Sequence, residues 1–207
     1  MNPSEVSTYN TIALGPNASI YAYYAKRIVA TTATLTGNCL DVGCGGGYLG
    51  LALARITPLD FIFFDQSPAM LQCAEDNITN FDCRSRARTL HGRVQAIPLT
   101  DDSIDLVVSR GSVPFWDDLA TAFSEIYRVL RPGGHAYVGG GLGDPKTRAE
   151  TEERMRRHHP EWQNKDRRPP HHDNEHYQRA LTAAAIDPFA VNRSDEGLWI
   201  TFRKGQS

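Results

Sequence analysis

The sequence lacks the features that mark several classes of protein. Its 207 residues hold four cysteines, no C-x-x-C pair, and 22 Lys and Arg against 24 Asp and Glu. A near-neutral chain excludes the basic footprint of a dedicated nucleic-acid binder. No apolar run approaches the ~20 residues that span a bilayer, and the N-terminus shows no signal peptide. We therefore expect a single cytoplasmic domain over 1–207 with reduced thiols, binding neither membranes nor nucleic acid.

Apolar runs and helical periodicities alternate along the chain, which is typical of a doubly wound α/β fold with a mostly parallel sheet. Leu59 to Phe64 is almost wholly apolar, as expected for a strand covered on both faces. We predict strands over 38–42, 59–64, 87–94, 104–108, 135–139, 189–193 and 198–202. We predict helices over 19–34, from the glycine-rich loop to Pro58, from Ser67 onward, and over 119–130, 146–159 and 174–185.

Two segments stand apart from this alternation. Residues 1–17 are polar and contain Pro3, Gly15 and Pro16, so we expect a loosely held N-terminal arm. Residues 144–175 are rich in charge and contain no Ile, Leu, Val or Phe, so we expect a charged insertion of one exposed helix and a proline-broken loop before the last helix. Asp195-Glu196-Gly197 signals a hairpin, so the final strand should run antiparallel to its neighbour.

The segment that carries chemistry is Leu40-Asp41-Val42-Gly43-Cys44-Gly45-Gly46-Gly47. A strand ends and a helix begins through residues that lack a Cβ, so the backbone can approach a ligand closely and offer free N–H groups. Asp65 ends the next strand, at the edge of a parallel sheet where ligands bind. A carboxylate there can accept hydrogen bonds from a ribose diol, so the pair predicts a site for an adenosine-containing cofactor.

A nicotinamide cofactor is one alternative, because Gly45 to Gly50 fits G-x-G-x-x-G. Asp41 argues against it, since an acid inside the strand could hold a ligand ammonium but does nothing for a pyrophosphate. We also expect no separate substrate domain, which a nicotinamide-dependent enzyme would need.

The sequence resembles the class I S-adenosylmethionine-dependent methyltransferases over roughly residues 9–204. The resemblance rests on four ordered motifs: the glycine loop; Phe64-Asp65-Gln66-Ser67-Pro68-Ala69-Met70-Leu71; Ile97 to Leu99 with Asp101 to Ser109; and Glu125 to Gly134. It implies a Rossmann-like seven-stranded sheet whose last strand is antiparallel, and S-adenosyl-L-methionine as the cofactor.

The resemblance also implies roles for individual residues. Gly43 and Gly45 would approach the methionine part of the cofactor, with Asp41 near its ammonium. Asp65 would take both ribose hydroxyls, beside Gln66, and Met70 would lie along the adenine. The family often has an acid after the glycine at Gly92, but this sequence has Arg93, so the adenine amine would rely on Gln95 or the backbone of Val94. The cofactor-binding candidates are completed by Ser109 and Tyr9.

The acceptor side is marked by fewer residues. Arg110 follows the fourth strand and could pair with a carboxylate or phosphate, and Trp116 could form a pocket wall; a salt-bridged arginine and a packed tryptophan are the alternatives. Tyr21 is a third candidate, because the N-terminal tyrosines would pack over the cofactor and one could face the sulfonium. The catalytic residue is unknown, although Tyr9 or His176 could act as a base. His172 and His176 are spaced like metal ligands, but a solvated surface is the preferred interpretation, and no metal is expected.

Three functions remain open on the sequence alone. The first is methyl transfer from S-adenosylmethionine to a small-molecule acceptor, which needs positioning more than a strong base. The second is a non-methylating use of the cofactor, such as intramolecular cyclisation to azetidine-2-carboxylate with release of methylthioadenosine. The third is a non-catalytic S-adenosylmethionine-binding module.

Overall fold

The computed structural model describes residues 2–158 and 172–206 and contains one seven-stranded sheet between helical layers. The strands are β1 (Asn38–Val42), β2 (Asp60–Asp65), β3 (Ala87–His91), β4 (Ile104–Arg110), β5 (Leu130–Gly140), β6 (Phe189–Ser194) and β7 (Gly197–Arg203). The helices are α1 (Pro3–Leu14), α2 (Ala18–Thr32), α3 (Tyr48–Ala54), α4 (Pro68–Asn80), α5 (Leu119–Val129), α6 (Pro145–His158) and α7 (Asn174–Ala183).

The strands lie in the order β3-β2-β1-β4-β5-β7-β6. Parallel pairs join β3 through β5, whereas β7 runs antiparallel to both β5 and β6. The predicted Rossmann-like sheet of seven strands with an antiparallel last strand is therefore confirmed.

Each face of the sheet is covered by its own apolar core. On β4, Leu106 and Val108 pack on the layer formed by α2, α3 and α4, whereas Val107 packs on the layer that contains Phe123 of α5. Successive side chains of a strand point to opposite faces, so a strand buried on both sides must be apolar throughout. The two cores hold the strand ends rigidly at the edge where the glycine loop begins.

The prediction of a loose arm at 1–17 is wrong, because α1 fills most of that range. Asn2 and Glu5 form a reciprocal capping box, in which each side chain accepts a hydrogen bond from the other residue's backbone N–H, at 2.9 and 2.8 Å. Val6 is buried against Met70 and Cys73 of α4. A polar segment thus forms a helix because its start is capped and one face docks on α4.

The join between α5 and β5 also differs from expectation. The predicted helix over 119–130 and strand over 135–139 leave residues 131–134 outside both elements, but β5 begins at Leu130, directly after α5. The register against β4 shifts between Ile104 and Leu106, and Gly133 takes φ +81° and donates its N–H to the carbonyl oxygen of Lys204 at 2.8 Å. The Arg-Pro-Gly-Gly segment is therefore an irregularity within a longer strand.

The charged segment is less exposed than expected in its first half. Thr151 and Met155 of α6 are buried, and the Thr151 hydroxyl lies 3.2 Å from that of Ser19 on α2. The expected loop around Pro160, Pro169 and Pro170 lies outside the described residues. Within the described ranges, no helix combines the length and apolarity that crossing a bilayer would require.

Candidate active site

A cavity of about 710 Å³ opens at the carboxyl edge of the sheet, among the loops that follow β1, β2, β4 and β5. Because β1 and β4 are neighbours, the connections from these two strands leave in opposite directions and open a crevice between them. Most of the predicted cofactor residues line it: Tyr9, Gly43, Gly45, Asp65, Gln66, Met70, Val94 and Gln95. Of the predicted acceptor residues, Arg110 and Trp116 line it as well.

The glycine loop is tightly packed at Gly43 and open at Gly45. Gly43 has φ +64°, and a Cβ on it would lie 2.3 Å from the Cβ of Ser112 in the loop after β4. Its N–H donates to the carbonyl oxygen of Phe64 at 2.8 Å, which fastens the loop to the end of β2. Gly45 has φ +55° and no heavy atom within 3.5 Å of its Cβ position, where the nearest is Tyr48 at 3.7 Å. The loop is therefore tight underneath and open above Gly45.

Asp65 joins the glycine loop to the start of α4. One carboxylate oxygen accepts the N–H of Gly45 at 2.9 Å, and the other accepts the N–H of Ser67 at 2.8 Å. Ser67 in turn caps α4, with its hydroxyl accepting the N–H of Met70. Each carboxylate oxygen has more than one acceptor lone pair, so Asp65 can still accept hydroxyl hydrogen bonds from a ligand in the cavity.

Asp41 lies behind this loop rather than on the cavity wall. It is 2% exposed, and its Oδ2 accepts the N–H of Gly50 at 2.9 Å. Burial raises the pKa of the Asp41 carboxyl to about 7, and the charge of Asp65 adds to the effect. Its expected position near a cofactor ammonium stays a prediction.

One end of the cavity is walled by apolar side chains. Met70 and Val94 are each 7% exposed, and both line the cavity with apolar surface. Gln95 lies in the same wall. Arg93, the departure noted in the sequence, forms an ion pair with Asp117. Its guanidinium is therefore already engaged, and the adenine contact expected from Gln95 or the Val94 backbone stays a prediction.

The part of the cavity wall around Arg110 contains a cation and aromatic rings. Arg110 lies over the ring of Tyr21, 4.7 Å from its centroid, and its Nη2 donates to the carbonyl oxygen of Gly141 at 2.7 Å. Tyr21 itself is buried and lies outside the cavity lining. Phe115 and Trp116 form part of the wall, and Phe115 is 55% exposed. This part of the wall can face an apolar ligand that carries a negative charge.

The tyrosines divide into one on the cavity wall and others in the core. Tyr9 lines the cavity, and its ring lies 5.8 Å from that of Tyr48, which lies 5.4 Å from that of Tyr21. Tyr24 is fully buried against Trp199. Burial raises the pKa of the Tyr21 and Tyr48 hydroxyls, so neither loses its proton readily. Tyr9 remains the tyrosine that reaches the ligand space.

Ser109 and His176 lie away from the cavity lining. Ser109 is fully buried, and its hydroxyl lies 2.6 Å from that of Ser112, which donates to the carbonyl oxygen of Val42. His176 is on α7, with its ring stacked on His172 at 3.8 Å. Within 2–158 and 172–206, no three His, Cys, Asp or Glu residues are grouped to hold a metal ion.

Several wall residues were missed by the sequence reasoning. Gly141 and Leu142 follow β5, and the rule that ligands bind at carboxyl ends of parallel strands would have found them. Ser112 follows β4 two residues after Arg110 and would have been found in the same way. Asn17, between α1 and α2, carries no sequence signal for the cavity, because its place depends on how the two helices dock.

Comparison with known proteins gives concordant matches. Residues 40–138 match the family model described as "Methyltransferase domain". A crystal structure from Methanococcus maripaludis, assigned provisionally as an S-adenosyl-L-methionine-dependent methyltransferase, is 35% identical with a TM-score of 0.89, and the match covers 100% of this chain and 94% of that one.

Two curated relatives match about half of the chain. A demethylmenaquinone methyltransferase from Chlorobaculum tepidum is 34% identical over 48% of this chain and 38% of its own length. A chloroplastic 2-methyl-6-phytyl-1,4-hydroquinone methyltransferase from Oryza sativa is 33% identical over 49% of this chain and 28% of its own length. The matched region thus spans well under half of either relative.

Proposed function

Because the chain belongs to the class I S-adenosylmethionine-dependent methyltransferases, we propose that it transfers the cofactor's methyl group to a small molecule held in the cavity. The observation that carries this proposal is Asp65, whose carboxylate lines the cavity while bridging the glycine loop and α4. A ribose-binding acid held by backbone N–H groups on both sides is preorganised to receive a nucleoside.

The residues present fit S-adenosylmethionine. A backbone cradle lies open above Gly45, an acid lies beside it at Asp65, and an apolar slot follows at Met70 and Val94. When bound, this cofactor supplies a methyl group on a positively charged sulfur, which leaves as a neutral thioether. In this proposal, Asp65 holds the ribose, the glycine loop accommodates the amino-acid part, and Met70 packs on the adenine.

The protein's contribution is positioning and exclusion of water. An activated methyl group requires an acceptor held in line, and a well-oriented pair reacts without further activation of the cofactor. Phe115, Trp116 and Leu142 enclose the acceptor end of the cavity with apolar surface. Tyr9 lines the cavity and is the proposed base for an acceptor proton.

The acceptor is proposed to be a small molecule rather than a macromolecule. The two curated relatives are named for quinone and hydroquinone substrates, and the flat rings of such molecules could pack on the aromatic side chains of the cavity wall. The four cysteines are all buried and free, which supports placing the protein in a reducing compartment such as the cytoplasm.

Product analysis tests the proposal against its alternatives. The purified protein is incubated with S-adenosylmethionine alone and then with candidate acceptors, including hydroquinones, and the nucleoside product is followed by mass spectrometry. S-adenosylhomocysteine that forms only with an acceptor supports methyl transfer. Methylthioadenosine formed without an acceptor indicates the cyclase, and binding without either product indicates a binding module.

The Asp65→Asn variant tests the cofactor site itself. Loss of charge-assisted hydrogen bonds to the ribose should weaken S-adenosylhomocysteine binding about 10- to 100-fold in calorimetry. Asp60→Asn is the matched control, since Asp60 begins the same strand, β2, at its opposite, exposed end. Equal affinities in Asp65→Asn and Asp60→Asn would show that the assigned ribose site is wrong.

A further inference from the structure

Arg110 places a positive charge in the wall of the cavity. It is the last residue of β4, at the edge where the cavity opens, and its guanidinium carbon lies over the Tyr21 ring, 4.7 Å from the centroid. The hydrogen bond from Nη2 to the Gly141 carbonyl oxygen draws the group toward the end of β5. These two contacts hold the guanidinium in one orientation.

The charge of Arg110 has no acidic partner within the described part of the chain. No ion pair includes it, whereas Arg93, the other arginine of the cavity wall, is paired with Asp117. Its Nε is buried and has no hydrogen-bond acceptor among the described residues. A buried, unpaired donor on a charged group is costly, so it indicates a place where a ligand supplies the acceptor.

The space beside Arg110 is open. Gly111 follows with φ +84°, and a Cβ on it would meet no heavy atom within 4 Å. The main chain after Arg110 therefore borders open space in the cavity, which Arg110 and Gly111 both line. An arginine fork matches the two oxygens of a carboxylate, and both groups are planar.

We propose that Arg110 forms a carboxylate-binding subsite of the cavity. The inference rests on the proposed function, because both sources of the carboxylate are its ligands: the amino-acid end of S-adenosylmethionine, or the acceptor. In either case Arg110 fixes one end of a ligand and Tyr21 acts as a positioning residue through its ring.

Calorimetry with two forms of the cofactor separates these sources. S-adenosylmethionine and decarboxylated S-adenosylmethionine differ only in the carboxylate, and both are titrated into wild type, Arg110→Met and Arg110→Lys. If the cofactor supplies the carboxylate, wild type prefers the intact form about tenfold or more, and Arg110→Met loses that preference. Arg110→Lys retains the positive charge without the planar fork of N–H donors. Its preference for the intact form should lie between those of wild type and Arg110→Met.

The second arm tests the acceptor as the source. Binding of benzoate to protein saturated with S-adenosylhomocysteine is followed by NMR, and Arg110→Met should weaken it at least about fivefold. Arg88→Met, on β3, removes the same charge outside the cavity and should change neither arm. Melting temperatures of all variants verify that they fold.

The outcomes separate failure of the carboxylate subsite from failure of the proposed function. An Arg110→Met protein with the same preference between cofactor forms and the same benzoate affinity as wild type would overturn the carboxylate subsite while leaving the proposed function intact. A wild-type protein that binds neither form of the cofactor would refute the proposed function and the subsite with it.

Discussion

Replacing Asp41 with asparagine should flatten the dependence of folding stability on pH. Burial raises the pKa of this carboxyl from 3.8 to about 7, because the charged form is removed from water. Between these values the folded protein binds a proton that the unfolded chain has released, so stability falls as the pH rises. One pKa unit corresponds to about 1.4 kcal/mol, so the full cost is about 4 kcal/mol and is complete above pH 7.

Urea unfolding of wild type and Asp41→Asn at about pH 5 and pH 8 measures this cost. Between these pH values wild type should lose about 3 kcal/mol more than the variant. The asparagine oxygen can still accept the N–H of Gly50, so the loop keeps its anchor. Asp60 is exposed at the start of β2, where its register partner is Asn38 of β1. Asp60→Asn should therefore follow the pH profile of wild type. Parallel pH profiles for wild type and Asp41→Asn would refute the argument.

Three further predictions concern stability. Asn77→Ala should cost about 1–3 kcal/mol in urea unfolding, because it removes the hydrogen bond that the buried Asn77 amide donates to the carbonyl oxygen of Gly46 at 2.9 Å. Phe123→Ala should cost about 3–5 kcal/mol by the same measurement, since its ring is fully buried between α5 and the sheet. Hydrogen bonds from Arg128 lower the pKa of Glu125 below its ordinary value of 4.5, so the ion pair stabilises the folded protein above pH 4.5. This stabilisation is lost as acid protonates Glu125, so Glu125→Gln should reduce the fall in melting temperature on acidification.

The parts of the site that the residues predict without help from the family resemblance are those fixed by a strand end. Asp65 and the glycine loop follow apolar strands, and parallel topology brings such ends to one edge whatever the details of packing. The position of Asp41 could not be obtained in this way. Its place in the motif is evident, but whether its carboxylate faces the ligand or the N–H of Gly50 depends on how α3 packs.

The prediction for residues 1–17 was wrong because helix α1 is stabilised by contact with a helix distant in sequence. Residues 1–17 look polar because the helix α1 buries little besides Val6 and Ala13, so its amphipathic signal is faint. Its capping box is visible in Asn2 and Glu5, yet isolated helices of this length are marginal in water. Contact with α4 stabilises it, and no local pattern reports that contact. The same holds for Asn17, which reaches the cavity only when α1 and α2 are in place.

The pairing of β1 with β4 also has a consequence for how the protein folds. The Ser112 hydroxyl and the Val42 carbonyl that it contacts under the glycine loop are 70 residues apart in sequence. Closing such a loop is entropically unfavourable until the intervening β2 and β3 have joined the sheet, so the crevice forms late in folding. A nucleoside that fills it binds only the finished topology. Ligand at a hundred times its Kd would add about 2.7 kcal/mol to global stability, so a thermal shift on binding reports completion of the whole sheet.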